Sequence, residues 1–123
     1  MKILTSNLMP PALNWLVAKL QGIEFTDEAQ PYAHELMHFN YCTDWAQGGP
    51  IIEMERIELS FLGFDEIDEA LPIWNACKYV RGVLKEEQGP TPLIAAMRCY
   101  VASQLGDEVE IPGEIGASHE LVD

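Results

Sequence analysis

The stretch GPTPLIAAMRCYVASQLGDE, Gly89 to Glu108, restricts the possible folds of this chain more than any other segment. Ile94, Met97, Val101 and Leu105 recur at helical spacing, and Leu93, Ala96 and Tyr100 widen that stripe to about half the helix circumference. Thr91 is placed to cap the first turn, Pro92 takes a position where a missing N–H costs nothing, and Gly106 supplies the stop. These signals predict a helix over 91–105. A helix this apolar has to bury itself, most simply against a sheet.

The rest of the chain supplies the sheet and further helices. Leu13, Leu16, Val17 and Leu20 fall at i, i+3, i+4 and i+7, which predicts a helix over 10–21 opened by Pro10-Pro11 and closed by Gly22. Phe39 and Tyr41 alternate with polar neighbours, predicting a strand that ends near Cys42. Pro50 followed by Ile51, Ile52, Glu53 and Met54 reads as the first turn of a short helix over 50–56, although Ile51 to Phe61 could also alternate as one long strand. Ile57, Leu59 and Phe61 alternate as a strand, the acidic GFDEIDEALP is a loop or hairpin connection, and IWNACKYVRGVL alternates as a second strand. DEVEIP offers a last edge strand before Pro112. The expected fold is α+β, a small sandwich of an antiparallel sheet with packed helices. Residues 1–112 form one domain in this reading, and 113–123 form a loose acidic tail.

Charge bounds the function. Twenty Asp and Glu against seven Lys and Arg give a net charge of −13. Seven carboxylates and one Arg lie between Glu53 and Glu69, and six carboxylates with no Lys or Arg follow Leu105. Such a surface repels phosphate backbones and anionic lipid, so neither nucleic acid nor a membrane is an expected partner. No apolar run reaches the ~20 residues of a bilayer span, and the opening MKILTSNLMPPALNW lacks a signal peptide's apolar stretch, which points to the cytoplasm. Cys42, Cys77 and Cys99 are odd in number, form no CxxC, and read as ordinary thiols.

Chemistry concentrates in YCTDWAQGGP, Tyr41 to Pro50. Asp44 can cap a turn, Gly48 and Gly49 permit positive φ, and Pro50 would open a helix whose first N–H groups face outward. Exposed amide donors at a helix start favour an anion. QGPTPL repeats the pattern with Gly89, Pro90 and the Thr91 hydroxyl, Trp45 offers a flat stacking surface, and Trp74 could join it. The candidate ligand-binding residues are therefore Thr43, Asp44, Trp45, Gln47, Gly48, Gly49, Pro50, Gly89, Thr91 and Arg98, with Arg56 a further cation within possible reach. No GxGxxG and no GxxxxGK followed by Ser or Thr is present, and no cofactor is expected. His34, His38 and Cys42 recur every four residues without an evident fourth ligand, and Asp65, Glu66, Asp68 and Glu69 lack the order of a calcium loop, so no metal site is assigned. No nucleophile elbow or Cys–His signature appears.

Three blocks resemble the NinX family of small tailed-phage proteins. Ala12 to Lys19 matches an ALxWAVAK-like helix core; Thr43 to Glu55 matches a TDWxQGGPIIERE loop, with Met54 where Arg is usual; Gly89 to Pro112 matches a GPTPLIAAMRCYVASKLGDEVEVP block almost letter for letter. The blocks cover roughly half the chain. Met9-Pro10-Pro11, FLGFDEIDEA and KYVRGVLKEEQ depart from the pattern. The resemblance implies a phage accessory protein expressed in the host bacterial cytoplasm and a compact α+β sandwich, without a defined activity. Joined to the residue reading, it suggests counter-defence or host takeover by a non-catalytic binder of a small anionic, nucleotide-like ligand. Two alternatives stay open: an acidic inhibitor that docks on a host defence protein as a nucleic-acid mimic, through Glu53–Glu69 and the tail, or a small nucleotide-acting enzyme with Asp44 as base. Homo-oligomerisation is compatible with either binding mode.

Overall fold

A computed structural model describes residues 1–25, 37–113 and 115. In chain order its elements are β1 (Lys2–Leu4), a 3-10 turn (Thr5–Asn7), α1 (Ala12–Leu20), α2 (Trp45–Glu55), β2 (Glu58–Phe64), β3 (Pro72–Val80), β4 (Val83–Gly89), α3 (Pro92–Leu105) and β5 (Glu108–Glu110). The fold is α+β. β2, β3 and β4 form an antiparallel meander, and β1 pairs antiparallel with β5 in a separate two-stranded ribbon.

The predicted last helix is α3, with the Thr91 hydroxyl accepting the Ile94 N–H at 3.1 Å and Gly106 stopping it at φ +92°. Its burial exceeds a stripe: every residue from Leu93 to Ala102 is buried, Arg98 included. α3 lies against β3 and β4 on one side and against α1 and α2 on another, so it is a central layer rather than a cover. Leu105, expected in the stripe, lies past that packing and is exposed.

Small residues let the layers approach. A Cβ on Gly89 would come within 2.7 Å of the Ala95 backbone nitrogen, so the end of β4 passes directly under the first turn of α3. Trp74 sits opposite Gly89 in the β3–β4 register, and Ala76, two residues on, is fully buried. Lys78 follows on the same side, where Glu55 of α2 receives its ammonium at 2.7 Å. A charge so placed is tolerated because it is paired.

Several sequence expectations are corrected. α1 begins at Ala12, not at residue 10, because Pro11 serves as its N-cap. No strand runs to Cys42 in the described residues: Tyr41 to Thr43 form a turn held by side chains. Gln47 accepts the Asn40 N–H at 2.8 Å and donates to the His38 carbonyl at 3.2 Å, while the Cys42 N–H donates to Asn14 Oδ1 at 3.1 Å. The helix expected over 50–56 starts five residues earlier, at Trp45. IWNACKYVRGVL is not one strand, since Arg81 (φ +51°) and Gly82 (φ +81°) make a two-residue hairpin turn and β4 follows. Of the expected tail, Ile115 is buried with the core, and residues 116–123 lie outside the described residues.

Gly48 and Gly49 separate two effects on stability. An added Cβ on Gly48 would press on the Tyr41 carbonyl oxygen and lie 2.7 Å from Leu93 Cδ2, whereas one on Gly49 would meet only Trp45 Cε3 at 4.0 Å. Overpacking costs roughly 1–3 kcal/mol and outweighs the gain of up to ~1 kcal/mol from helix propensity. Gly48→Ala should therefore lower stability in chemical denaturation, while Gly49→Ala should raise it by about 0.5–1 kcal/mol.

A capped cleft between two helix starts

α2 and α3 begin side by side. Asp44, the residue before α2, has extended backbone (φ −114°, ψ 111°) and its Oδ1 accepts the Ala46 N–H at 2.9 Å. The Asp44 carbonyl then takes the N–H groups of Gln47 and Gly48 at 3.0 and 2.9 Å. Helix geometry thus starts ahead of the Gly-Gly-Pro, and Pro50 sits in the helix interior. The amides expected to face outward at Gly49-Pro50 are consequently not a helix start. Neither Gly48 nor Gly49 has positive φ; the smallness of Gly48 serves contact with Tyr41 and Leu93 instead.

Between the two helix starts lies an open cleft of about 250 Å³, lined by Cys42, Thr43, Trp45, Thr91, Pro92, Leu93 and Ile94. Trp45 is 53% exposed. Its indole, the ring of Pro92 and the side chains of Leu93 and Ile94 are the apolar components; the Thr43 and Thr91 hydroxyls add polar ones. The anion-attracting ingredients are muted. Thr91 already accepts the Ile94 N–H, Pro92 has no N–H, and the Asp44 carboxylate brings negative charge to the start of α2.

The fold brings Thr43, Trp45 and Thr91 together and disperses the other candidates. Gln47 is committed to the 38–40 backbone. Gly48 and Gly89 are buried packing positions. Pro50 lines a separate small cavity of about 100 Å³ with Gln21, Gln47, Ile51, Met54 and Glu55. Arg56 closes the far end of α2 in left-handed conformation, φ +54°. Trp74 stacks obliquely on Phe61, ring centroids 5.0 Å apart, and is absent from the cleft wall. Cys42, Pro92, Leu93 and Ile94 are the lining residues that sequence reasoning missed, since their apolar character reads equally well as core.

Arg98 is the largest displacement from expectation. Its Nε donates to the Leu8 carbonyl at 2.8 Å, Nη1 to the Gln88 carbonyl at 2.8 Å, and Nη2 to Met9 Sδ at 3.1 Å. The guanidinium ties the approach to α1 and the end of β4 onto α3. It borders a different cavity, about 560 Å³, with Asp65, Glu86, Glu87 and Gln88 among its walls. Burial pulls the Arg98 pKa down, and nearby Glu87 and Cys42 pull it back up. Burial likewise holds Glu87 above the usual carboxylate range, reinforced by Asp107 and opposed by Arg98 and Lys85.

The thiols carry no sign of nucleophilic activation. Burial pushes Cys42 and Cys99 up to about 12. Cys77 is also raised, by burial and then by Glu58 and Glu86. Of the His34–His38–Cys42 series, His34 lies outside the described residues and Cys42 is buried.

With this geometry in place, the family can be assigned. The fold is a small α+β domain built on one central helix with the cleft beside it, and the family model described as Bacteriophage P22, NinX, matches residues 4–104. The chain belongs to that family. It is thus a phage accessory protein, and among its described residues no helix is long and apolar enough to cross a membrane. No curated protein matches it.

Two outcomes follow from the site. Arg98→Met should destabilise by roughly 1–3 kcal/mol through the buried Leu8 carbonyl left unpaired, with a smaller loss at the part-buried Gln88 carbonyl, read by denaturant titration. A raised pKa leaves a thiol protonated until the pH nears that value, so iodoacetamide at about pH 8 should spare Cys42 and Cys99 in the native protein and label all three cysteines once it is unfolded.

Proposed function

We propose that this phage protein is a non-catalytic binder that holds a small planar ligand in the cleft between the starts of α2 and α3, in the cytoplasm of the host bacterium. The carrying observation is the convergence of both helix starts on one cleft with an exposed indole in its wall. An exposed Trp beside a cleft costs apolar hydration, which a stacked ring relieves.

The physical setting revises the ligand chemistry expected from sequence. Capped amides, an adjacent carboxylate and a net charge of −13 all disfavour a phosphate at this cleft. The volume of about 250 Å³ falls below the ~300–1,000 Å³ typical of drug-sized ligands, so it suits one ring system rather than a whole nucleotide. The preferred ligand is a neutral nucleobase or nucleoside, recognised by its ring face and by the two Thr hydroxyls. Sequestering such a compound, or a host signal that displays one, would be a counter-defence or host-takeover activity. Asp44, the base of the enzymatic alternative, is engaged in capping α2, and the described residues that line the cleft offer no other carboxylate or imidazole.

Calorimetry and Trp45 fluorescence should report binding of neutral nucleosides, with the corresponding 5′-monophosphates weaker. Stacking of a base on an aromatic ring is worth ~1–3 kcal/mol, so Trp45→Ala should weaken binding by about 5- to 150-fold. Silence across the panel, or equal affinity in Trp45→Ala, overturns the reading.

A further inference from the structure

A second surface lies on the β2–β3 hairpin, and it neither uses nor depends on the cleft. Phe61, Leu62, Phe64, Ile67 and Leu71 are all exposed large apolar residues, Ile67 to 97%. They lie within eleven residues of sequence on one hairpin arm and its loop. Phe61 and Phe64 meet edge to face with centroids 5.5 Å apart, Phe61 touches Trp74, and Phe64 pairs in register with Pro72. A bulge between Phe61 and Gly63 (φ +105°) shifts the register within the same strand. Scattered exposed apolar residues need no explanation, but a contiguous aromatic patch does.

The loop beneath the patch is ordered. Asp65 N–H donates to the Leu71 carbonyl at 2.9 Å, Asp65 Oδ1 accepts from Ile67 and Asp68 N–H at 2.8 and 3.0 Å, and Asp68 Oδ1 accepts from Ala70 N–H at 3.0 Å. Those bonds hold the Asp65 carboxyl below its usual range. The patch is therefore presented on a defined scaffold.

Charge decides what can cover it. From Glu58 to Leu71 there are five carboxylates, Glu58, Asp65, Glu66, Asp68 and Glu69, and no Lys or Arg. Among the described residues β2 is also an edge strand, bonded only to β3 in its sheet. Alternate backbone N–H and C=O groups of an edge point away from its neighbour and can receive another strand. A second copy of this chain fits poorly. Antiparallel pairing over the full length of two β2 strands would set Glu58 of each opposite Phe64 of the other with Asp65 next along, so carboxylates would crowd at both ends of the ladder. Each copy also carries −13.

We infer that the β2 edge and the β2–β3 loop dock an extended, basic segment of another protein, with apolar side chains on one face for Phe61, Phe64 and Trp74 and Lys or Arg for the acidic rim. Main-chain bonding would supply affinity, the aromatic patch the register, and the carboxylates the choice of a basic partner.

The probe is an eight-residue capped peptide alternating Lys and Val, compared with a Glu–Val peptide and with a Lys–Val peptide of the same composition in two blocks. Fluorescence anisotropy should show binding of the alternating Lys peptide alone, weakened about tenfold or more when salt rises from about 50 to about 500 mM. Phe64→Ser and the joint change Glu58→Gln, Glu66→Gln, Glu69→Gln should each weaken it comparably, while Trp45→Ala leaves it unchanged. Amide exchange on β2 should slow when the peptide binds. Circular dichroism and melting temperatures close to those of the parent protein confirm that the variants fold. Equal binding of all three peptides, no binding of any, or unaltered β2 exchange overturns the inference. So does a salt-strengthened dimer lost in Leu62→Lys, which would assign the surface to a second copy.

Discussion

Burial of α3 on all sides from Leu93 to Ala102 is the constraint on which this small fold depends. A helix whose residues from Leu93 to Ala102 are all enclosed needs walls on every side, and one three-stranded sheet cannot supply them. α1 and α2 close the remaining sides. Burying Arg98 in that enclosure is feasible only because carbonyls from Leu8 and Gln88 and the thioether of Met9 meet its donors. The same bonds join the approach to α1, some ninety residues away, and the end of β4 to the central helix. Arg98 acts as a tie across layers, and its charge is spent inside the protein.

Close packing explains the glycines that first look like ligand-binding elements. Gly48 and Gly89 lie where α2 and β4 approach the first turn of α3, and each excludes a side chain because backbone or side-chain atoms already fill the space. Bringing α2 this close sets its start beside that of α3, and the cleft is the gap left between them. The cleft thus arises from the packing of the central helix, with the exposed Trp45 ring as its distinctive wall.

The two proposed surfaces share a physical logic despite their separation. A strongly acidic surface opposes anions, so both proposals invoke ligands that negative charge does not oppose: flat neutral rings at the cleft and cationic, apolar-faced chains at the hairpin. In the cleft the helix starts are neutralised by Asp44 and Thr91. On the hairpin, Asp65 and Asp68 use part of their hydrogen-bonding capacity to shape the loop that carries the exposed aromatics.

The sequence by itself determined the elements whose signals are local. Thr91, Pro92 and Gly106 mark α3 with residues whose preferred conformations are intrinsic, and alternation at Ile57, Leu59 and Phe61 announces β2. The three blocks around Trp15, Asp44 and Met97 likewise sufficed for the family. Other features needed the tertiary structure. Pro50 reads as a helix start, yet the capping of Ala46 by Asp44 and the fit of Gly48 against Leu93 carry helix through it. The Arg81-Gly82 turn hides in a single alternating run because both strands share a period of two. Arg98 looks like a surface cation, and only its three partners, two of them about ninety residues away at Leu8 and Met9 and one on the neighbouring strand at Gln88, turn it inward. Local preference is written in neighbouring residues; which polar group finds a buried partner, and which apolar one is left uncovered, depends on contacts that exist only after the chain has closed on itself.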